Sequence, residues 1–397
     1  MKIMMAGGGS GGHITPILAV AHEVKKLAPD TEIIYVGQTG DRFGELMTDC
    51  SEIDATYSVR AGKFRRYHGE GLRQLLDLLT LGKNIRDSFY VLIGLWQSFW
   101  LLGRVKPDIL FCKGGFVGVP IGLAAALRHI PYVTHDSDAI PGLANRIIAR
   151  WASRHAVALS ADLYPYPEAE TIDVGVPTSY NYRPVTASQQ SKYKREIGLD
   201  KYDHILLVTG GGSGAEHINK AVLAIAEGLL VDDPALCIVH TVGQKHEETV
   251  SSEYSKRLSS KNRKRVIVRD YINDLYRYSG AADVVVARGG ATNLAELAGQ
   301  GRASIIIPNP ILTGGHQTKN AAAYRAAGAI VVVSENELGK DPEILSRAIV
   351  ELMNNAPKKQ ALSRNILKFA RPKAAVDLAK LLINLKKEDF DASTETA

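Results

Sequence analysis

One arrangement occurs twice in this chain and limits its fold more than any other feature: a short β-branched strand, a glycine-rich loop, then a helix-like segment. The first copy runs from Ile3–Met5 through Gly7-Gly8-Gly9-Ser10-Gly11-Gly12-His13 into Pro16–Ala28. The second runs from His204–Val208 into Gly210-Gly211-Gly212-Ser213-Gly214. Behind the first copy, short apolar runs at Glu32–Val36, Ile109–Phe111, Tyr132–Thr134, Ala156–Ala158 and Ile172–Val174 alternate with helical patterns. Behind the second they fall at Leu236–His240, Arg265–Val268, Asp283–Val286, Ser304–Ile307 and Ile330–Val333. Such alternation builds parallel sheets covered by helices. The chain is therefore expected to be α/β, with two Rossmann-like, doubly wound parallel-sheet domains whose ligands sit at the carboxyl ends of the strands.

A length of 397 residues suits that division, because single cores stop growing at about 250–300 residues. The expected segments are a first domain at 1–176, a polar connection with prolines at 177–203 and a second domain at 204–355. Helices at 356–385, with the option of packing back on the first domain, and a disordered charged tail at 386–397 complete the chain. Three scattered cysteines, Cys50, Cys112 and Cys237, show no metal-ligand spacing and suit a reducing compartment. Met1–Ala6 is too short for a signal-peptide apolar region. The longest apolar run, Tyr90–Leu102, is broken by Gln97 and Ser98 and falls short of the roughly 20 residues a spanning helix needs.

The formal net charge of +6 is concentrated. Between Arg60 and Lys106 nine basic residues face three acidic ones, and the same stretch carries Phe89, Tyr90, Trp96, Phe99, Trp100 and many leucines. Basic residues beside aromatics suit an anionic membrane surface, and the alternative is a pair of amphipathic helices whose apolar side is core. Nucleic acid is not an expected partner, because the glycine loops are sized for a small diphosphate rather than a groove.

After the run Val284–Ala287 comes Arg288-Gly289-Gly290-Ala291-Thr292-Asn293-Leu294-Ala295-Glu296. The glycines permit close backbone approach, and the first-turn N–H groups and helix dipole favour a diphosphate. Glu296, about five residues and roughly 7.5 Å further along the helix, offers two oxygens to the hydroxyls of a ribose. The stretch reads as a nucleotide-sugar clamp, or else as a glycine-rich turn with a solvated glutamate. The first loop also spells G-x-G-x-x-G at Gly7, Gly9 and Gly12, but no acidic residue ends the second strand at Tyr35-Val36-Gly37, which disfavours NAD.

The run G-G-G-S-G-G-H-I-T-P, followed in order by Lys113-Gly114-Gly115-Phe116, His135–Asn145, the second glycine loop, Tyr271–Leu275, Arg288–Glu296 and His316–Ala321, resembles glycosyltransferase family 28. The resemblance spans nearly the whole chain. It implies a GT-B fold, with an acceptor domain and a donor domain facing a cleft, and inverting transfer of N-acetylglucosamine from UDP-N-acetylglucosamine to lipid I, giving lipid II for peptidoglycan. On the donor side it implies Ile272 at the uracil, Gly211, Ser213, Arg288, Ala291, Thr292 and Asn293 near the diphosphate, Glu296 at the ribose, and His316 and Gln317 at the sugar. On the acceptor side it implies Ser10, Gly11, Gly12, Gly114, Gly115, His135 and Asn145. It places the protein at the cytoplasmic face of the plasma membrane, with other cell-wall synthesis and division proteins as further partners.

Transfer of this kind needs a base for the acceptor hydroxyl and positive potential where the diphosphate leaves. His13 is the first candidate base, since a helix start keeps an imidazole neutral, and the alternative is a histidine capping its own loop. Arg288 is either a counter-charge for the leaving group or an interdomain salt bridge. The family's His-Glu-Gln-Asn is here His135-Asp136-Ser137-Asp138. Two aspartates near a bound diphosphate repel it unless a cation intervenes, which opens an Mg²⁺ site at Asp136 and Asp138. The alternatives are that the aspartates cap the helix near Pro141, or that Asp138 is the base. No cofactor is otherwise required. Two further readings remain at this stage, a related transferase with another lipid acceptor and a non-catalytic UDP-sugar scaffold.

Overall fold

The computed structural model describes residues 1–8, 11–40, 47–63, 78–211, 214–243, 246–311 and 313–395. Ser10, Gly212 and Ser213, the basic residues Arg65, Arg66 and Arg73, and most of the stretches 39–44 and 60–69 lie outside the described residues.

Two compact units emerge, Met1–Ser179 with Arg371–Ala397, and Tyr180–Ala370. In the first, β1 (Lys2–Ala6), β2 (Glu32–Gln38), β3 (Ala55–Val59), β4 (Ile109–Cys112), β5 (Tyr132–Asp136), β6 (Arg154–Val157) and β7 (Thr171–Asp173) form one sheet in the order 3-2-1-4-5-6-7. In the second, β8 (His204–Thr209), β9 (Leu236–Thr241), β10 (Val266–Arg269), β11 (Val284–Ala287), β12 (Ser304–Ile306) and β13 (Val331–Val332) follow the order 10-9-8-11-12-13. Each sheet is parallel, and its first strand lies beside its second and fourth, as in β1 with Met4 paired to Ile34 and to Leu110. The two Rossmann-like domains expected from the doubled pattern are therefore present.

Both faces of each sheet are covered, which is why the strands read as continuous apolar runs. Side chains alternate across the sheet, so Ile3 and Met5 join one core layer and Met4 and Ala6 the other. In the second unit Leu206 and Val208 face one layer, and Ile205 and Leu207 the opposite one. The strand ends meet their loops on one edge, where the strand order reverses.

The segment 177–203 holds the helix Ala187–Glu196, capped by the Thr186 hydroxyl at Gln189 N. Its Tyr193 is buried and meets Tyr276 edge to face, so this part of the chain is integral to the second unit. The helix Ala356–Leu367 belongs to that unit too. The last helix, Ala374–Glu395, returns to the first unit, where Leu378, Leu382 and Leu385 pack with Ile14, Ile17 and Val20. Its backbone extends past Lys386, the start of the stretch expected to be disordered.

The basic, aromatic stretch contributes the helix Leu78–Val105. Leu102 and Val105 are core, whereas Phe89, Leu92, Trp96 and Trp100 are each more than 60% exposed. Their spacing of three or four residues places them on one face of the helix. Only part of its apolar surface is therefore core.

Candidate functional site

In the first unit, the loops after the adjacent strands β1, β4 and β5 carry the expected acceptor residues. Tyr35, on neighbouring β2, donates its hydroxyl to the Gly7 carbonyl at 2.6 Å and props the first loop from beneath. His13 lies in the first turn of the helix Gly11–Leu27, with Nδ1 3.0 Å from the Gly8 carbonyl oxygen. A carbonyl only accepts, so Nδ1 donates and the neutral ring carries its lone pair on Nε2. Burial, helped by the nearby Lys113 charge, lowers the His13 pKa to about 4 against the opposing pull of the Gly8 hydrogen bond and Asp138. The imidazole is neutral at pH 7, as a base requires. Gly115 backs this ring in the left-handed conformation at φ +75°, and a Cβ there would come within 3.2 Å of His13. A side chain at that position would push the imidazole aside.

The loop that follows β5 is tied down at successive residues. Asp136 accepts the Gly142 N–H at 3.2 Å, just ahead of the helix Leu143–Ile148, and the Tyr166 hydroxyl at 2.7 Å. Its carboxylate serves the helix start, the capping role left open by the sequence, and burial raises its pKa. Tyr164 donates to the Asp138 carbonyl at 2.9 Å. The Tyr166 ring stacks on His155 with centroids 4.1 Å apart. Ser137 lies 2.8 Å from the Lys113 ammonium, itself only 2% exposed. Among the described residues no group of three or more His, Cys, Asp or Glu side chains is arranged to hold a metal ion.

His135 and Asn145, expected at the acceptor, are 1% and 2% exposed. His135 Nε2 donates to the Gly175 carbonyl at 2.9 Å, and Asn145 Nδ2 donates to the His135 carbonyl at 2.9 Å. The hydrogen bonds of both side chains thus shape the loop. Gly114 sits against Asn145, where a Cβ would lie 3.4 Å from its amide.

In the second unit two helix N termini converge. Gly290 caps the helix Ala291–Gln300, and Gly315 caps the helix His316–Ala326. They approach through Gly289, whose added Cβ would lie 2.8 Å from the Gln317 carbonyl oxygen. Asn320 donates to the Gly289 carbonyl at 3.2 Å, and Asn293 to the Arg288 carbonyl at 3.2 Å. Positive ends of two dipoles and their first-turn N–H groups are thus gathered where a diphosphate is expected. Gln317 Oε1 accepts the Asn309 N–H at 2.9 Å. Gly211 lies in the loop after β8 with φ +77°.

Ile272 is buried and belongs to the core layer that also holds Leu275, Ala287 and Leu294. Glu296 receives a hydrogen bond from Tyr182, yet burial raises its pKa to about 8.

Arg288, expected either as a counter-charge for the leaving group or as an interdomain salt bridge, makes its salt bridge inside the second unit. Nη2 donates to Glu335 Oε1 at 2.6 Å and Nη1 to the Ile307 carbonyl at 3.1 Å, with the side chain only 10% exposed. His217 meets the same Glu335 oxygen at 2.9 Å.

Residues 3–157 match the glycosyltransferase family 28 N-terminal domain, and 205–378 match the C-terminal domain of the same family. A relative from Bacillus pumilus, UDP-N-acetylglucosamine--N-acetylmuramyl-(pentapeptide) pyrophosphoryl-undecaprenol N-acetylglucosamine transferase, is 31% identical over 382 residues, covering 96% of this chain and 98% of its own. The chain belongs to glycosyltransferase family 28. A relative with the same name from Desulforudis audaxviator is 31% identical over 389 residues, covering 97% and 98%. Among solved structures, Acinetobacter baumannii MurG shares the fold with a TM-score of 0.68 at 23% identity, over 96% of this chain and 99% of that one. The S. aureus MnaA–UDP co-structure shares it with a TM-score of 0.64 at 13% identity, over 94% and 93%. A UDP-N-acetylglucosamine 2-epimerase from Neisseria meningitidis has it as well, so the fold alone does not choose between transfer and epimerisation in a family 28 chain.

Several residues of this family 28 site carry no local sequence signal. Tyr164, Tyr166, Tyr182 and Glu335 sit in stretches without motif character. Lys113 stands inside a matched motif, but nothing in its spacing shows that its ammonium is buried beside the β5 loop.

Proposed function

We propose that this chain transfers N-acetylglucosamine from UDP-N-acetylglucosamine to lipid I, forming lipid II by inversion at the anomeric carbon. The observation that carries the donor half is the convergence of two helix N termini on Gly289, with Glu296 about one and a half turns further along one of them. The acceptor and the reaction follow from the full-length relatives, whose names specify both.

On this reading the second unit holds the UDP group, with the Glu296 carboxylate at the ribose and the first-turn N–H groups of Ala291, Thr292 and Asn293 at the diphosphate. The first unit holds the acceptor diphosphate against the backbone of its glycine loops. His13 takes the proton of the acceptor hydroxyl on Nε2, a new C–O bond forms at the anomeric carbon, and the bond to UDP breaks. The helix dipoles stabilise the charge that develops on the departing diphosphate. Asp138 is the second candidate for the base. No cofactor is required, and Mg²⁺ on the acceptor side is the alternative. The exposed face of Leu78–Val105, with Lys83, Arg86 and Arg104, docks on an anionic leaflet at the cytoplasmic side of the plasma membrane. Other cell-wall synthesis and division proteins are proposed partners there.

The test is incubation of purified protein with labelled UDP-N-acetylglucosamine and lipid I, beside UDP-glucose and UDP-galactose, with and without excess chelator. Lipid-linked disaccharide from the first donor alone is the expected product. Its absence overturns the reading, and loss of turnover in chelator restores Mg²⁺.

A further inference from the structure

The loop after β5 brings Asp136 and Asp138 close to the place proposed for the acceptor diphosphate, so a positive charge is needed between them and an anionic ligand. A divalent cation is one solution. The structure holds another, because Lys113, at the end of β4, is 98% buried with its Nζ 2.8 Å from Ser137 Oγ, between the two aspartates in sequence. Its backbone is fixed by a hydrogen bond from Lys113 N to the Ala6 carbonyl at 2.9 Å, and its Cβ lies 3.4 Å from where a Gly7 side chain would start. It is thus wedged between the first glycine loop and the β5 loop, next to Gly114 and Gly115.

An ammonium has three protons to donate. Among the described residues Lys113 Nζ makes one hydrogen bond, to Ser137. Burying an ammonium is costly unless charge and hydrogen bonds compensate. The compensation here is electrostatic, from Asp138 first and Asp136 second, while burial pulls the lysine pKa down to about 8. A charge kept in such a place, with donors to spare, suits an anion that arrives with the substrate.

We infer that Lys113 is the built-in counter-cation of the acceptor site, its ammonium bridging the Ser137–Asp138 loop to the diphosphate of the incoming acceptor. This rests on the acceptor reading given above. The role belongs to a positioning residue: Lys113 offsets the repulsion from the two aspartates and sets the diphosphate in register with His13, whose ring shares the same corner of the site.

The experiment compares the wild type with Lys113→Met, Lys113→Arg and Ser137→Ala. Acceptor and donor KM are measured separately with lipid I and UDP-N-acetylglucosamine, and melting temperature is followed alongside. Lys113→Met is expected to raise the acceptor KM at least tenfold with donor KM changed less than twofold, and Lys113→Arg to recover part of the loss. Ser137→Ala, which keeps the charge and loosens its anchor, is expected to raise the acceptor KM about threefold without lowering the melting temperature. It carries the test if Lys113→Met does not fold. A second arm is independent of turnover. With the donor site filled by UDP, calorimetric titration with inorganic pyrophosphate is expected to give at least tenfold weaker binding to Lys113→Met than to wild type, and at least threefold weaker binding to Ser137→Ala. Unchanged acceptor KM and unchanged pyrophosphate affinity in folded variants overturn the inference, as does an equal rise in both KM values. A wild type that binds pyrophosphate through Lys113 but makes no disaccharide overturns the transferase reading and leaves the inference standing.

Discussion

Arg288 Nη2 and Glu335 Oε1 lie 2.6 Å apart across 47 residues of chain, and the pair is nearly closed to solvent. It fixes the residue from which the Gly289–Gly290 turn departs, so a buried ion pair sets the start of the helix proposed to hold the donor diphosphate. Removing one partner of such a pair leaves a buried charge uncompensated, at a cost of roughly 3–5 kcal/mol. Glu335→Leu and Arg288→Met are each expected to destabilise the second unit by about that amount, and the double variant to recover much of the loss. Urea denaturation of the four proteins, followed by a probe in that unit, checks the cycle. Strictly additive losses would show that the pair is not coupled.

Tyr166 supplies a hydrogen bond to Asp136 at 2.7 Å, and that carboxylate is only 5% exposed. Leaving a buried charged acceptor short of a donor costs about 1–3 kcal/mol. Tyr166→Phe is expected to lower the melting temperature of the first unit and to raise the acceptor KM while leaving UDP affinity alone. Calorimetric UDP binding alongside steady-state kinetics separates these effects. Equal damage to donor and acceptor binding would contradict the assignment.

Desolvation, with the Lys113 charge beside it, holds the pKa of the half-buried His13 near 4. A base must be deprotonated to act, so lowering its pKa extends the active range toward acid. The kcat/KM for acceptor is expected to stay level from pH 7 down to about pH 5 and then fall, instead of turning over at the ordinary imidazole pKa of about 6.5. Loss of a general base typically costs roughly 10²- to 10⁴-fold, so His13→Ala is expected to lose turnover on that scale while still binding UDP. Retained turnover in this variant moves the role to Asp138.

Glu296 has its pKa raised to about 8 by burial, against the hydrogen bond from Tyr182. At pH 7 the empty site therefore holds it largely protonated. Hydroxyls of a ribose donate to the ionised form and favour it, so UDP binding at pH 7 is expected to release a proton. Calorimetry in two buffers of different ionisation enthalpy reads this directly, and Glu296→Gln is expected to abolish the buffer dependence and weaken UDP binding. A wild-type heat independent of buffer rules the linkage out.

Trp96 and Trp100 are 66% and 61% exposed on one helix face. Replacing both with Ser is expected to reduce sedimentation with anionic phospholipid vesicles severalfold, while turnover on a detergent-solubilised acceptor stays near wild type. Vesicle binding that survives the change would place the docking surface elsewhere.

The sequence by itself determined what depends on neighbours in the chain. The doubled strand, glycine loop and helix gave two parallel sheets, because side-chain periodicity and turn chemistry are local properties. The helix start after Gly289–Gly290 was legible for the same reason, since its glycines, first turn and Glu296 are contiguous. Partners of buried polar groups were not. Lys113 meets Ser137 across 24 residues, Tyr166 meets Asp136 across 30, and Arg288 meets Glu335 across 47. Strand order decides which loops share an edge, and only then does a charge acquire a neighbour. Arg288 thus reads as a ligand for the donor in the sequence, and the structure adds its buried pairing with Glu335, while the burial of Lys113 beside Ser137 passes unremarked until β4 and β5 lie side by side. Tertiary structure decided these roles because a buried charge is tolerable only where distant parts of the chain compensate it.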